Sequence, residues 1–244
     1  MPNYKMVFSY DGARYNGWQK LGNGELTIQG TIEDAISEVL RLPVEIHGSG
    51  RTDAGVHAKG QVASMKVSFL LKESFRDDVN QKLPEDIRLL FVERVQGEFH
   101  ARYSATKKTY SYHVDTNEKP RVFGRKFACH HPEKLDMNAM QQAAEALLGQ
   151  HDFSSFTDDK TKKDKVRTIY DIRINEERGV FRFEYHGDGF LQHMVRILTG
   201  TLLEVGCGKR NADDIPRILE MKERASAGFM VPGKGLFLEK VFYD

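Results

Sequence analysis

The chain has 244 residues, of which 40% are hydrophobic, so it is long enough for one large domain or two small ones with proper cores. Its 36 basic and 35 acidic residues nearly cancel, and any binding of nucleic acid must therefore rely on local patches of charge. Two cysteines are too few for a disulfide framework, and no apolar run approaches the length of a membrane span.

The first hundred residues are predicted to alternate strands and helices in a ferredoxin-like order. Apolar residues alternate along the predicted strands, and the longer helix has an apolar stripe that begins at Ile28. The expected elements are a strand over 4–10, a helix over 27–40, strands over 44–46 and 62–69, a helix over 74–83 and a strand over 87–95. This succession of strand, helix, strand, strand, helix, strand is the βαββαβ order.

The remaining residues repeat a similar order of elements without repeating the sequence. The expected elements are an extended stretch over 99–115, a helix over 137–148, a hairpin over 166–175 and 180–186, helices over 191–205 and 211–225, and a strand over 235–242. We therefore expect an α+β fold of two ferredoxin-like halves, 1–104 and 105–244. They would form a mixed, mostly antiparallel sheet flanked by helices, with an active-site cleft between the halves.

The stretch 48–58 reads GSGRTDAGVHA and lies between two strand patterns. Its glycines let a bent backbone take positive φ angles or approach a ligand closely. Arg51 and Asp53 are two residues apart, so on an extended segment their side chains leave from the same side, and the arginine favours the ionised carboxylate. The residues alone leave two interpretations open. The stretch is either a surface turn with a local ion pair or the site of a carboxylate that acts as nucleophile or base.

Two further stretches carry residue types that suit RNA chemistry. The segment 99–112 interleaves basic side chains with three tyrosines, which suits stacking on bases but equally fits a strand with a solvated, charged face. The helix expected over 191–205 is apolar on most sides, yet it carries Arg196. A positive charge on a buried helix needs an anion. Asp53 is one candidate partner for Arg196, and Glu204 or solvent is the alternative.

These strings together closely resemble the motifs of the TruA-type tRNA pseudouridine synthases. The strings that carry the resemblance are, in chain order, YDG with GWQ from Tyr10, GRTDAGVHA from Gly50, FHAR with YSY from Phe99, HDFSSF with RT from His151, FLQHMVRILTG from Phe190 and PGKGLFL from Pro232. At least six motifs thus follow the family order from Tyr10 to Leu238. Val231 is a mild departure, because the family usually has alanine before this proline.

The resemblance implies a role for five residues. Asp53 matches the family's catalytic aspartate, and Arg196 matches the arginine associated with it. Tyr110 would contact the flipped target base, Arg51 would help to hold the flipped nucleotide, and Leu236 would pack near the base. The implied activity is the conversion of uridine to pseudouridine at positions 38, 39 and 40 in the anticodon stem-loop of tRNA. The family works as a homodimer, and the reaction is an isomerisation that needs no cofactor.

No metal site is expected, because the run from Cys129 to His131 has no fourth ligand nearby. The first residues show no signal-peptide pattern, so a cytoplasmic protein without a membrane partner is expected. Two other classes of protein are alternatives to the enzyme. One is a non-catalytic RNA-binding protein on a ferredoxin-like sheet. The other is an aspartate-nucleophile phosphotransferase or hydrolase, which would want further acids for Mg²⁺ close to Asp53.

Overall fold

The computed structural model describes residues 1–22 and 24–243, which fall into two compact units. The first unit comprises residues 1–106 and 237–244, and the second comprises residues 107–236. The last eight residues therefore group with the first unit, whereas the sequence placed all of 105–244 in the second half. Whether the two units are separate domains stays a prediction. Within the described residues, no helix has the length and apolar character needed to cross a membrane.

The first unit has the strand and helix order expected from the sequence. Its elements are β1 (Asn3–Tyr10), α1 (Ile28–Leu40), β2 (His47–Gly48), β3 (His57–Lys66), α2 (Phe75–Lys82) and β4 (Ile87–Val95). Strand β1 lies between β3 and β4, β2 pairs with β3, and all three pairings are antiparallel. The order β4-β1-β3-β2 is the ferredoxin-like arrangement, and the expected α+β class is confirmed.

The predicted apolar stripe of α1 is buried. Ile28, Ile32 and Ile36 have at most 1% of their surface exposed. The helix begins after Thr27, whose hydroxyl accepts a hydrogen bond from the Gly30 N–H at 3.3 Å and so caps the first turn. The apolar period of the sequence thus fixes which face of α1 packs into the core.

The second unit consists mainly of antiparallel strands with helices. Its elements are β5 (Lys107–Asp115), β6 (Cys129–His130), α3 (Met137–Glu145), β7 (Gly149–Asp152), β8 (Val166–Glu177), β9 (Val180–Gly187), α4 (Met194–Gly206) and α5 (Ile215–Met221). The order β5-β9-β8-β7 is antiparallel throughout, and β6 joins β5 in parallel. The predicted hairpin is confirmed, because Arg178 and Gly179 form its two-residue turn with φ angles of 51° and 75°.

The final strand, β10 (Leu236–Phe242), returns the chain to the first unit. It pairs in parallel with β3, with Phe237 beside His57 and Leu238 beside Ala58. The Phe237 ring also stacks on the buried His57 ring, with centroids 4.7 Å apart. These contacts explain why the end of the chain groups with the beginning rather than with the residues just before it.

Several predicted elements differ from the structure. The short strand expected over 44–46 lies at His47–Gly48 instead, and the strand expected over 62–69 runs over His57–Lys66. Residues 99–106 turn instead of extending, because the Ser104 N–H donates to the His100 carbonyl at 2.9 Å. Helix α4 begins at Met194 rather than at 191, since His193 takes a left-handed φ of 63°. The helix expected over 211–225 is confined to α5, which ends where Lys222 takes a φ of 53°. Periodicity locates apolar faces but does not reveal such left-handed residues.

Candidate active site

The glycine-rich loop connects β2 to β3, as predicted, and carries Asp53 at the start of a tight turn. The Val56 N–H donates to the Asp53 carbonyl at 3.1 Å, and Gly55 takes a φ of 75°. A positive φ at the third of four residues is the signature of a type II turn and favours glycine. The turn leaves Asp53 half-buried and Ala54 exposed. Local backbone geometry therefore sets the direction in which the carboxylate leaves the chain.

The loop that follows β1 holds the glycine-rich loop from both sides of Asp53. The Trp18 N–H donates to the Thr52 carbonyl at 2.9 Å, and the Gly55 N–H reaches the Tyr15 carbonyl at 3.4 Å. Gly17 permits this approach, because a Cβ on it would lie 2.7 Å from the Thr52 oxygen. The segment from Tyr15 to Trp18, which overlaps the GWQ string and is distant from Asp53 in the sequence, thus acts as its backbone support.

Buried side chains secure the beginning of the same loop. The hydroxyls of Tyr10 and Thr52 are 2.8 Å apart, and the Gln61 amide donates to the Gly50 carbonyl at 2.9 Å. The Ser49 hydroxyl in turn donates to the Gln61 side-chain oxygen at 2.7 Å. Burial raises the pKa of Tyr10 far above its ordinary value, so its hydroxyl stays protonated. Such a satisfied network fixes one conformation of the loop.

Arg51 does not form the local ion pair with Asp53 that the sequence left open. Its side chain is exposed, and no hydrogen bond or ion pair of Arg51 is found in the part of the chain that the structure describes. The interpretation of 48–58 as a surface turn closed by these two charges is therefore wrong. An exposed guanidinium on this loop is instead available to a phosphate or a nucleotide.

Tyr110 lies in β5 of the second unit, opposite Tyr185 of β9. Only 9% of its surface is exposed, and the Phe190 ring meets it edge-on with centroids 5.2 Å apart and an interplanar angle of 80°. Phe190 opens the FLQHMVR string, so two of the recognised motifs meet at this aromatic pair. A tyrosine held on a strand by such packing presents its ring in a fixed orientation.

Arg196 lies in the first turn of α4 and is tied to the segment before β10. Its Nε donates to the Val231 carbonyl at 2.8 Å, and the Val231 N–H points back to the Arg196 carbonyl at 3.4 Å. The side chain is half-buried, so its charge is partly removed from water. Asp53 belongs to the other unit, and the proposed partnership of Asp53 with Arg196 stays a prediction.

The departure from the family at Val231 leaves this contact intact. Arg196 uses the carbonyl of residue 231, which every amino acid supplies, whereas the Val231 side chain is fully buried. The extra methyl groups relative to alanine therefore affect packing rather than the hydrogen bond.

Tyr112 is the site residue that the sequence analysis did not single out. Its hydroxyl donates to the Pro232 carbonyl at 2.6 Å, and its ring leaves no room for a Cβ on Gly235, which would lie 2.7 Å away. Burial raises the pKa of Tyr112, and the nearby Arg196 charge opposes this increase only partly. Leu236 follows directly and is buried. The sequence signal for Tyr112 was its place as the second tyrosine of the YSY string. Its contacts with Pro232 and Gly235 position residues 232–236.

A family model described as tRNA pseudouridine synthase matches residues 6–104 and 143–244. These ranges include Arg51, Asp53, Arg196 and Leu236, whereas Tyr110 lies in the unmatched segment between them. The chain therefore belongs to the tRNA pseudouridine synthase family, which consists of isomerases that act on uridine in tRNA.

Relatives that match over their whole length narrow the family assignment to the TruA type. They confirm the resemblance inferred from the motifs. The chain is 46% identical to a protein of a Bacillus strain named tRNA pseudouridine synthase A, with 100% of both chains covered. It is 44% identical to tRNA pseudouridine synthase A 2 of Bacillus cereus over 99% of each chain. It is 43% identical to tRNA pseudouridine synthase A of Clostridium kluyveri, again with full coverage of both.

Proposed function

We propose that Asp53 is the catalytic carboxylate with which this enzyme converts uridines of the tRNA anticodon stem-loop, at positions 38, 39 and 40, to pseudouridine. The observation that carries this proposal is the half-buried position of Asp53 on a loop whose backbone is held on both sides by hydrogen bonds from Trp18 and to Tyr15. Positioned groups of this kind are what catalysis requires, because small displacements of a reacting group are costly.

The reaction moves one glycosidic bond and needs no co-reactant. The N1–C1′ bond of uridine breaks, the uracil turns, and C5 bonds to C1′ in its place. The C5 proton leaves, and N1 ends with a proton, so no electrons are gained or lost overall. Asp53 acts as a nucleophile at C1′, as a nucleophile at C6, or as the base that assists glycal formation. All three routes need an ionised carboxylate at the reacting sugar or base.

The other residues are proposed to hold the flipped nucleotide. Removing a base from the stack costs a few kcal/mol, which contacts in the pocket must offset. Tyr110 would stack on the target base, Arg51 would contact the nucleotide through its exposed guanidinium, and Leu236 would pack beside the base. Arg196 would pair with Asp53 and orient its carboxylate.

We further propose that the enzyme acts as a cytoplasmic homodimer. The net charge of +1 gives the single chain little overall attraction for a polyanion, whereas two copies can combine local basic patches around one tRNA. Size-exclusion chromatography with light scattering, in the presence and absence of tRNA, measures this directly. A monomer in both states would contradict the dimer but leave the chemistry of Asp53 untouched.

The variant Asp53→Asn keeps the size of the side chain but removes the nucleophilic carboxylate. With tRNA tritiated at uridine C5, from cells that lack this activity, the wild type should release tritium. The variant should be slower by at least about a hundredfold. Its affinity for tRNA should change little. Asp34→Asn, which removes an exposed carboxylate from α1, is the matched control and should keep full activity.

The same assay separates the enzyme from the non-catalytic RNA-binding protein. Full activity of Asp53→Asn would overturn the assignment of Asp53. Binding of tRNA without tritium release from any RNA by the wild type would favour the binding protein. A strict requirement for a divalent metal would favour the phosphotransferase.

A further inference from the structure

One cluster of metal-ligating side chains lies outside the residues proposed for catalysis. Among the described residues, it is the single group of three or more His, Cys, Asp or Glu side chains whose ligand atoms all lie within 4.8 Å of one another. Its members are His131, Glu133 and Cys207. The His131 Nε2 lies 3.2 Å from the Cys207 Sγ and 4.0 Å from the Glu133 Oε1.

We propose that His131, Glu133 and Cys207 form a zinc site in the second unit. Thiolate, imidazole and carboxylate are all zinc ligands, and three protein ligands with an open fourth position are a frequent arrangement. With Zn–S of about 2.3 Å and Zn–N and Zn–O of about 2.0–2.1 Å, tetrahedral geometry separates neighbouring ligand atoms by about 3.3–3.6 Å. The histidine–cysteine distance is close to this value, and the glutamate needs only a small approach.

The backbone already holds the histidine and the cysteine in place. The His131 N–H donates to the Asp115 carbonyl at 2.8 Å, which fixes the chain just beyond β6. The Cys207 N–H donates to the Leu203 carbonyl at 2.9 Å, so the cysteine caps the end of α4. Glu133 is exposed and adjustable, which gives an ion a path from solvent. Zinc would therefore join the end of α4 to the segment after β6.

Lys209 places a positive charge beside the proposed zinc site and so disfavours a cation there. Its Nζ lies 2.7 Å from the Glu133 Oε1, so an ammonium already occupies one oxygen of the carboxylate. A carboxylate has two oxygens, and Lys209 can keep one while zinc takes the other. The positive charge still repels a divalent cation, so removal of Lys209 should strengthen zinc binding. Binding also displaces the thiol proton of Cys207, because the thiolate is the ligand.

This cluster could not be predicted from the short run of sequence around His131. That run contains Cys129, but Cys129 is not part of the cluster. The cysteine that meets His131 lies 76 residues further along the chain. Only the tertiary structure, which places the end of α4 beside the segment after β6, brings the ligands together.

The test uses the full-length, metal-free protein and Zn²⁺, with Co²⁺ as a spectroscopic probe. Calorimetry should give one Zn²⁺ per chain, and Co²⁺ should produce a near-ultraviolet thiolate charge-transfer band. Cys207→Ser should abolish that band and weaken zinc binding at least tenfold, and Glu133→Gln should weaken it. Lys209→Gln should strengthen it. Two control variants should bind as the wild type does: Cys129→Ser, which changes the other cysteine, and His47→Gln, which removes an exposed histidine beside a glutamate.

The outcomes are independent of the tRNA reaction, because none of these residues is proposed to touch the substrate. Retention of the charge-transfer band in Cys207→Ser, or its loss in Cys129→Ser, would overturn the site. Weaker binding in Lys209→Gln would overturn the arrangement of ligands. Far-ultraviolet circular dichroism of each metal-free variant identifies any that fails to fold. If Cys207→Ser fails to fold, His131→Gln replaces it. The zinc affinity of His131→Gln should likewise be at least tenfold weaker than that of the wild type.

Discussion

The position of Asp53 is set by its neighbours in the backbone rather than by the charge two residues before it. Arg51 makes no ion pair in the described part of the chain, whereas Trp18 and Tyr15 hold the peptide groups on either side of the aspartate. An arrangement of this kind holds the backbone at Asp53 whatever the orientation of the Arg51 side chain. The separate roles proposed for Arg51 and Asp53 agree with this arrangement.

Arg196→Lys tests whether geometry or only charge is needed in α4. Lysine keeps the positive charge but has no Nε–H to donate to the Val231 carbonyl. We expect a loss of about 0.5–1.5 kcal/mol in the free energy of unfolding, measured with urea, and a lower kcat for tritium release. Arg173→Lys, on an exposed stretch of β8, is the control. Unchanged stability and kcat in Arg196→Lys would show that charge alone suffices.

Asp115 gives the unfolding free energy a defined dependence on pH. Burial of its carboxyl acts to raise the pKa. Hydrogen bonds from the Arg121 N–H at 2.9 Å and from Asn117 outweigh burial and hold the pKa of Asp115 below its usual range. A depressed native pKa stabilises the fold above the unfolded value of about 4, and this stabilisation disappears as the pH falls through the native pKa.

Asp115→Asn should therefore be destabilising at pH 7 and much less so in acid. The amide cannot accept hydrogen bonds at both of its terminal atoms, so a loss of about 1.5–3 kcal/mol at pH 7 is expected. Urea unfolding of wild type and variant, repeated from pH 7 down to pH 3, should show the difference narrowing below about pH 4. A difference that stays constant over this range would contradict the linkage.

Helix α4 is organised by close backbone contact with the segment that precedes β10. Gly200 lies where a Cβ would be 1.8 Å from the Phe229 carbonyl oxygen, and Gly228 approaches Thr201 in the same way. The contact brings Val231 within reach of Arg196 one turn earlier on the helix. Gly200 is therefore required by packing, even though glycine inside a helix is locally unfavourable.

The variant Gly200→Ala should change the free energy of unfolding through two effects of opposite sign. Alanine improves helix propensity by about 1 kcal/mol, whereas a backbone oxygen at 1.8 Å forces the 229–232 segment to shift. Overpacking of this kind costs about 1–3 kcal/mol, so we expect net destabilisation together with a loss of activity as Arg196 loses its carbonyl partner. Gly97→Ala is the control, because nothing lies within 4 Å of a Cβ there. A more stable Gly200→Ala would contradict the packing argument.

At the scale of the whole molecule, the chain leaves the first unit at residue 106 and returns to it at residue 237. The returning strand β10 supplies Phe237, which stacks on His57 directly after the loop that carries Asp53. Lys59 and Glu239 form an ion pair at 2.9 Å between the same two strands. The strand that follows the Asp53 loop is thus supported by residues from the far end of the chain.

The first unit should consequently depend on the last strand. Residues 1–106 expressed alone should unfold at a lower urea concentration than the same residues joined to 237–244 through a flexible linker. The expected gain comes from burying Phe237 and Leu238 and is about 1.5–3 kcal/mol for each side chain before the cost of ordering them. The matched control is the joined protein with Phe237→Ala. Equal unfolding midpoints for the three proteins would contradict the dependence.

The sequence by itself determined the apolar faces, the order of elements in the first unit and the motif around Asp53. These features are local: a period of two or 3.6 residues, a run of glycines and a recognisable string are all readable along the chain. The buried stripes of α1 and α4, the glycine-rich loop and the 178–179 turn follow from them.

Tertiary structure alone decided which distant residues meet. The support of Asp53 by the 15–18 backbone, the tie between Arg196 and Val231, and the cluster of His131 with Cys207 all join residues far apart in sequence. The left-handed residues that shift the ends of α4 and α5 were also hidden, because His193 and Lys222 have no intrinsic need for positive φ. Each of these features depends on packing between elements, and a single sequence read locally contains no signal for such contacts.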